Sequence, residues 1–186
     1  MTGKIIHKGK TSTDSSFVIK YPSIKDTGAL CKYINILSRE KTFIRYQGEH
    51  ISLKEEREFL NKIHQKIKKQ EAIMLILISN NKVVGISSIE MRNRIENHVG
   101  DFGISLLKEF RSLGLGKLFL EKVLDEAQKH LPNLKIVVLG VFENNHIAIN
   151  MYKKFGFVEF GRLPRGVCYK GNMIDHIYMY KNIDQG

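Results

Sequence analysis

The chain has 186 residues, 42% of them hydrophobic and 26% charged, with a formal net charge of +11. That describes one domain with enough apolar material for a full core. The longest apolar run, residues 72–78, is too short to cross a bilayer, which excludes a helical membrane span. Cys31 and Cys168 lie far apart and read as packed, reduced thiols, and the 7 histidines show no metal-ligand spacing, so no metal is expected.

The excess of positive charge disfavours a polycationic substrate and favours anions: a phosphate-bearing ligand or an acidic peptide. The lysines are dispersed rather than clustered among aromatic residues, so neither nucleic acid nor a membrane is the expected partner. Residues 1–16 are polar and carry no apolar h-region, which with the free thiols points to the cytoplasm. One domain is expected over residues 1–186, with 1–15 a flexible or edge segment.

In chain order, residues 17–19 form a first strand. Pro22 starts a turn, and Ser23 or Asp26 caps a helix over 29–37. Residues 40–50 are a polar connection carrying Phe43 and Tyr46. Ser52 and Glu55 have capping-box spacing, and the helix that follows runs to about Lys69 with Leu53, Phe59, Leu60, Ile63 and Ile67 on or near one face. Residues 72–79 and 82–91 are strands joined by the Asn80-Asn81 turn. Residues 98–107 are a third strand of this group. After it Leu115, Phe119, Val123 and Ala127 recur every fourth residue and mark a helix that stops near Pro132. Residues 134–142 form a buried strand. Asn144 or Asn145 caps a helix over 147–155 that ends at Gly156. Residues 157–161 and 167–170 are strand-like, Gly171-Asn172 reads as a hairpin turn, and 172–181 alternates as a final strand with one buried face. The order is β-α-α-β-β-β-α-β-α-β-β: an α/β fold with a single mixed sheet flanked by helices.

The most informative stretch is residues 104–124: an apolar strand end, then Arg111-Ser112-Leu113-Gly114-Leu115-Gly116-Lys117, then a helix. Two glycines one residue apart let backbone approach a ligand closely. The helix that starts there points unpaired N–H groups and its positive dipole end into the turn, a device for binding phosphate or pyrophosphate. A nucleotide P-loop is excluded, because Leu118 follows Lys117 where Ser or Thr is needed. A dinucleotide fingerprint fails too, since Phe119 stands where its third Gly or Ala belongs.

Arg-x-x-Gly-x-Gly between strand and helix resembles the acetyl-CoA pyrophosphate loop of the GCN5-related N-acetyltransferase (GNAT) superfamily. A second block, Asn145-x-x-Ala148-x-x-Met151-Tyr152-Lys153-Lys154-Phe155-Gly156-Phe157, is similar to the other signature of that superfamily, and the two come in the family's order. Tyr169-x-Gly171-Asn172-x-x-Asp175-x-x-x-Met179 resembles the end of the branch that holds ribosomal-protein N-terminal and spermidine acetyltransferases.

The resemblance implies an acetyl-CoA-dependent N-acetyltransferase with acetyl-CoA as co-substrate, moving an acetyl group to a primary amine by direct attack in a ternary complex. It implies that the backbone of Arg111, Ser112, Leu113, Gly114, Leu115, Gly116 and Lys117 binds the pyrophosphate. The pantetheine arm would lie between two splayed central strands along Ile104 to Leu106, with the Leu106 N–H polarising the thioester carbonyl and Asn145 holding the arm from the other side. Tyr152 would donate to the departing thiolate, and Asp101 would be the base, with Glu90, His98 or a water chain as alternatives. Phe43, Tyr46, Arg165 and Tyr169 are expected to line the acceptor site. The acceptor stays open between a protein N-terminus, toward which the basic charge leans, and a polyamine, amino acid or aminoglycoside. A non-catalytic acyl-CoA-binding protein is the rival reading. An exposed edge strand would invite a homodimer.

Overall fold

The computed structural model describes residues 1–183; residues 184–186, the end of the expected 1–186 domain, lie outside the described residues. The elements are β1 (Ile5–Lys10), β2 (Ser16–Lys20), α1 (Thr27–Glu40), α2 (Leu53–Lys68), β3 (Ala72–Ser79), β4 (Lys82–Met91), β5 (Val99–Leu106), α3 (Leu115–His130), β6 (Ile136–Phe142), α4 (His146–Lys154), β7 (Val158–Tyr169) and β8 (Asn172–Asn182). The strands make one mixed sheet in the order β1-β2-β3-β4-β5-β6-β8-β7. It is the α/β sheet with flanking helices read from the sequence, with one strand added ahead. That strand, β1, pairs antiparallel with β2 from His7↔Ile19 to Lys10↔Ser16. Its side chains are largely exposed or half-buried, so its hydrophobic alternation is weak.

Three local readings change. Residues 158–169 form one strand rather than two pieces, because the register jumps from Leu163↔His176 to Val167↔Ile174 and absorbs extra residues in a bulge. Arg165 takes a left-handed φ of 57° inside that bulge. The following hairpin turns on Lys170 and Gly171, both with positive φ, and Tyr169 pairs with Asn172. A type I′ turn needs positive φ at both central positions, so Gly171 is its second residue, not its first. On α2 the buried face is Glu56, Leu60, Ile63 and Ile67, while Leu53 and Phe59 are exposed; at 100° per residue Phe59 falls off that stripe, whereas Leu53 lies close to the line of Leu60 and is exposed as the first residue of the helix.

The chain divides into two compact units. The first comprises Met1–Glu90 and Gly103–Pro132. Its core is β3, buried from Ala72 to Leu77, with Leu30, Tyr33 and Leu37 of α1, and Leu115, Phe119, Val123 and Ala127 of α3. A Cβ on Gly85 of β4 would lie 2.5 Å from the Leu106 side chain and 3.1 Å from the Phe119 ring, so any larger residue there must displace them. The second unit comprises Met91–Phe102 and the chain from Asn133 onward. There β5 and β6 run parallel over a short register, Val99↔Ile136 to Asp101↔Val138. Val137, Leu139 and Val141 of β6 and Ile177 and Met179 of β8 form its buried face. Cys31 is half-buried and Cys168 exposed, both unpaired; the expected packing of Cys168 fails because its strand lies at the end of the sheet order. Among the described residues no helix is long and apolar enough to cross a membrane.

Candidate functional site

In the first unit, a short helical turn at Lys108–Phe110 ends at Arg111, where the backbone returns to extended geometry. Ser112 and Gly114 then take left-handed φ values of 62° and 78°. Gly114 is the N-cap of α3 and contributes no capping side chain. A Cβ there would meet nothing within 4 Å, so Gly114 is needed for its backbone angle and not for space. A left-handed Ser112 is strained by about 1–2 kcal/mol, and such strain gathers at functional turns.

These angles leave a row of donors open. Among the described residues no hydrogen bond engages the amides of Ser112, Leu113, Gly114, Leu115, Gly116 or Lys117; the first amide taken up is that of Leu118, by the Gly114 carbonyl at 3.4 Å. Successive free N–H groups at the positive end of a helix form an anion cradle. Lys117 adds an exposed ammonium with no ion-pair partner among the described residues.

The Arg111 side chain is engaged within the protein. Its Nε donates to the Leu106 carbonyl at 2.9 Å, and its guanidinium is paired with Glu40 at 2.6 Å. Its amide is also engaged, donating to the Lys108 carbonyl at 3.2 Å. Glu40 further accepts from the Lys108 amide at 3.4 Å. Arg111 therefore ties the turn to the end of β5 and to the C-terminus of α1. Tyr33 of α1 adds a second tie, with its hydroxyl 2.8 Å from that of Ser105. Glu40 was not legible as a site residue, since 71 positions separate it from its partner and no motif contains it.

In the second unit, Tyr152 on α4 is 7% exposed and packs edge-on against Phe102 at 5.9 Å and against Phe157 at 5.8 Å. Burial pushes its phenol well above the usual value. No protein group among the described residues bonds the hydroxyl, yet no fully buried side-chain polar atom lacks a partner. The ring is thus enclosed while the hydroxyl stays reachable from outside. Asn145 caps α4 by accepting from the Ala148 amide at 3.3 Å, leaving its side-chain NH2 group without a partner among the described residues.

Asp101 is exposed on β5 and held by Arg92, whose NH2 lies 2.9 Å and whose Nε lies 3.1 Å from its carboxylate oxygens. Glu90 is paired with Lys66 at 2.8 Å, and His98 is exposed. Arg165 and Tyr169 lie on β7, with the Arg165 amide donating to Asp175 at 3.0 Å and the Tyr169 ring stacked edge-on against Phe142 at 5.6 Å. Phe43 and Tyr46 belong to the first unit, in the connection after α1, where both are about two-fifths exposed. Within the first unit the structure thus brings together the Arg111–Lys117 turn, the end of β5 and α1. Within the second it brings together Phe102, Tyr152 and Phe157. Among the described residues no group of His, Cys, Asp and Glu is placed to hold a metal ion.

A family model described as "Acetyltransferase (GNAT) family" matches residues 33–157. An acetyltransferase of the GNAT family from Streptococcus pneumoniae is 32% identical, with a TM-score of 0.82 over 90% of this chain and 99% of that one. L-amino acid N-acetyltransferase from Escherichia coli is 28% identical over 56% of this chain and 65% of its own length, so the match spans just under two thirds of that relative. A ribosomal L7/L12 alpha-N-protein acetyltransferase in complex with coenzyme A has a TM-score of 0.79 over 98% of this chain and 100% of that one; at 15% identity this is a likeness of fold alone.

Proposed function

Because the chain belongs to the acetyltransferase (GNAT) family, we propose that it moves the acetyl group of acetyl-CoA to a primary amine, with the α-amine of a polypeptide as acceptor, in the cytoplasm and as one catalytic domain. The observation that carries the reading is the run of unengaged amides from Ser112 to Lys117 at the N-terminus of α3. A diphosphate supplies the oxygens those amides lack, and each charge-assisted bond contributes about 1.5–3 kcal/mol. Arg111 holds the turn in shape rather than touching the ligand. Ile104 and Leu106 on β5 and the free NH2 group of Asn145 are the proposed contacts of the pantetheine arm.

The amine nitrogen attacks the thioester carbonyl, the carbon–sulfur bond breaks, and the thiolate leaves toward Tyr152. The buried phenol stays protonated at working pH, so its hydroxyl is always a donor. It stabilises the thiolate by hydrogen bonding more than by full transfer, since a phenol is a weaker acid than a thiol. Asp101, held in place by Arg92, is the proposed receiver of the amine's proton. An α-amine needs little help: its pKa of about 8 lies one unit from neutrality, against more than three units for a lysine.

The test is a thiol-release assay with acetyl-CoA and four acceptor sets: peptides with free α-amines, Nα-blocked peptides containing lysine, free amino acids and polyamines. The expected result is release with the first set. Release confined to amino acids would move the acceptor to the small-molecule class. No release above background with any of the four sets would leave a non-catalytic acyl-CoA-binding protein.

A further inference from the structure

An open groove of about 430 Å³ lies along the outer face of α1, lined by Cys31, Lys32, Asn35, Ile36, Arg39 and His50. It belongs wholly to the first unit. Asn35 builds its wall: its Nδ2 donates to the carbonyls of Cys31 and Ile51 at 2.8 Å, and its Oδ1 accepts the Ile51 amide at 2.9 Å. Ser38 fastens the same connecting segment, donating to the Glu49 carbonyl at 2.6 Å and accepting from the Gly48 amide at 3.0 Å. The groove is therefore a fixed surface of α1 and the segment zipped onto it.

Its charge is uncompensated. Among the described residues Lys32 and Arg39 make no ion pair or side-chain hydrogen bond, and both are exposed. The nearby carboxylates are engaged elsewhere. Glu40 holds Arg111, Glu49 accepts from the Gln47 amide, and Glu55 closes the capping box on Ser52. Ile36, 38% exposed, supplies an aliphatic floor between the two cations. Lys32 and Arg39 are seven residues apart on one helix, which is about 10 Å of axis. In an extended polyproline-II-like segment, side chains three positions apart are on one side and about 9 Å apart. A free amino acid has one α-carboxylate and does not reach both cations; an acidic peptide does.

We propose that this groove binds an acidic, extended segment of the acceptor polypeptide, with Lys32 and Arg39 each taking one carboxylate. The inference rests on the polypeptide-acceptor reading above and makes it more specific. Arg39 adjoins Glu40, which ties α1 to the Arg111 turn, so the bound segment would run beside the element that carries the cofactor loop. Lys32 and Arg39 are specificity residues in this scheme and touch neither the thioester nor the attacking amine.

The experiment is a fluorescence anisotropy titration with a labelled hexapeptide carrying aspartates three positions apart, its asparagine counterpart, and a single-stranded oligonucleotide. It uses the full chain, a Lys32→Ala/Arg39→Ala variant, and a Lys4→Ala/Lys8→Ala variant with the same loss of charge on and beside β1. The expected result is at least tenfold tighter binding of the aspartate peptide than of the asparagine one. That preference should vanish in the α1 variant and persist in the β1 variant, with free aspartate competing poorly. Equal binding of both peptides, equal losses in both variants, or binding of the oligonucleotide in place of the peptide would overturn the proposal. In turnover, the α1 variant should raise KM for acidic peptides and leave KM for acetyl-CoA unchanged; a rise in the cofactor's KM instead would show that the groove serves the cofactor and would overturn it. If no amine is acetylated yet the α1 variant loses peptide binding, the proposed activity fails and the groove assignment stands.

Discussion

Tyr152 combines an enclosed ring with a hydroxyl that no protein group engages, and that pairing sets its consequences. Removing the oxygen leaves the Phe102 and Phe157 contacts in place, so Tyr152→Phe should fold as the parent does. It should lower kcat by roughly 10²-fold, in line with loss of one proton-donating group, with acetyl-CoA affinity little changed. Stopped assays against a titrated cofactor series check both parts. Because burial raises the phenol, Tyr152 is protonated throughout the neutral range; the rise of kcat/KM with pH should therefore track the amine and survive in the variant. Gly114 makes a different residue-scale case. At φ 78° any side chain is strained by about 1–2 kcal/mol, while a Cβ has open space around it. Gly114→Ala should keep most cofactor affinity, and Gly114→Asp should abolish it by placing a carboxylate against the diphosphate, as calorimetric titration would show. Equal behaviour of the two variants would contradict the electrostatic argument.

At the scale of elements, the capping box of α2 was readable because its logic is local. Ser52 accepts the Glu55 amide at 3.2 Å, and the Glu55 carboxylate accepts the Ser52 amide at 2.8 Å. Ser52→Ala should destabilise the protein by about 1 kcal/mol, measured as a shift in denaturant midpoint with unchanged slope. The strands β3 and β4 were equally plain, since an apolar run and the Asn80-Asn81 turn depend only on neighbours. What escaped the sequence depends on distant partners. β1 is mostly exposed and is held by its pairing with β2. The bulge at Arg165 is fixed by Asp175, whose Oδ1 accepts the Arg165 amide across the hairpin. The site divides the same way. The glycine turn and the Asn145–Phe157 block carry their own spacing, so both were legible. The engagement of Arg111 by Glu40 and of Asp101 by Arg92 joins residues that share no motif, and these pairs decide which charges are free.

At the scale of the whole chain, the acid limb of stability has an identifiable part. Burial alone would raise the Asp26 carboxyl, but hydrogen bonds from Lys20 and from the amide and hydroxyl of Ser23 outweigh it and hold the group below its ordinary value. A carboxylate with a depressed folded pKa stabilises above its unfolded value of about 4 and loses that contribution as pH falls through the lower folded value. Asp26→Asn should therefore lower stability at pH 7 and flatten its dependence below about pH 4, seen in thermal melts across that range. The strongly basic composition has a bearing on partners rather than on fold: it draws anions, and the fold offers them the open amides of the α3 turn and the cationic groove of α1.

The most direct test is a crystal structure of the protein with acetyl-CoA bound. The diphosphate oxygens should lie within hydrogen-bonding distance of the amides between Ser112 and Lys117, with Arg111 still paired to Glu40. Cofactor lodged in another cleft, with those amides still open, would contradict the account.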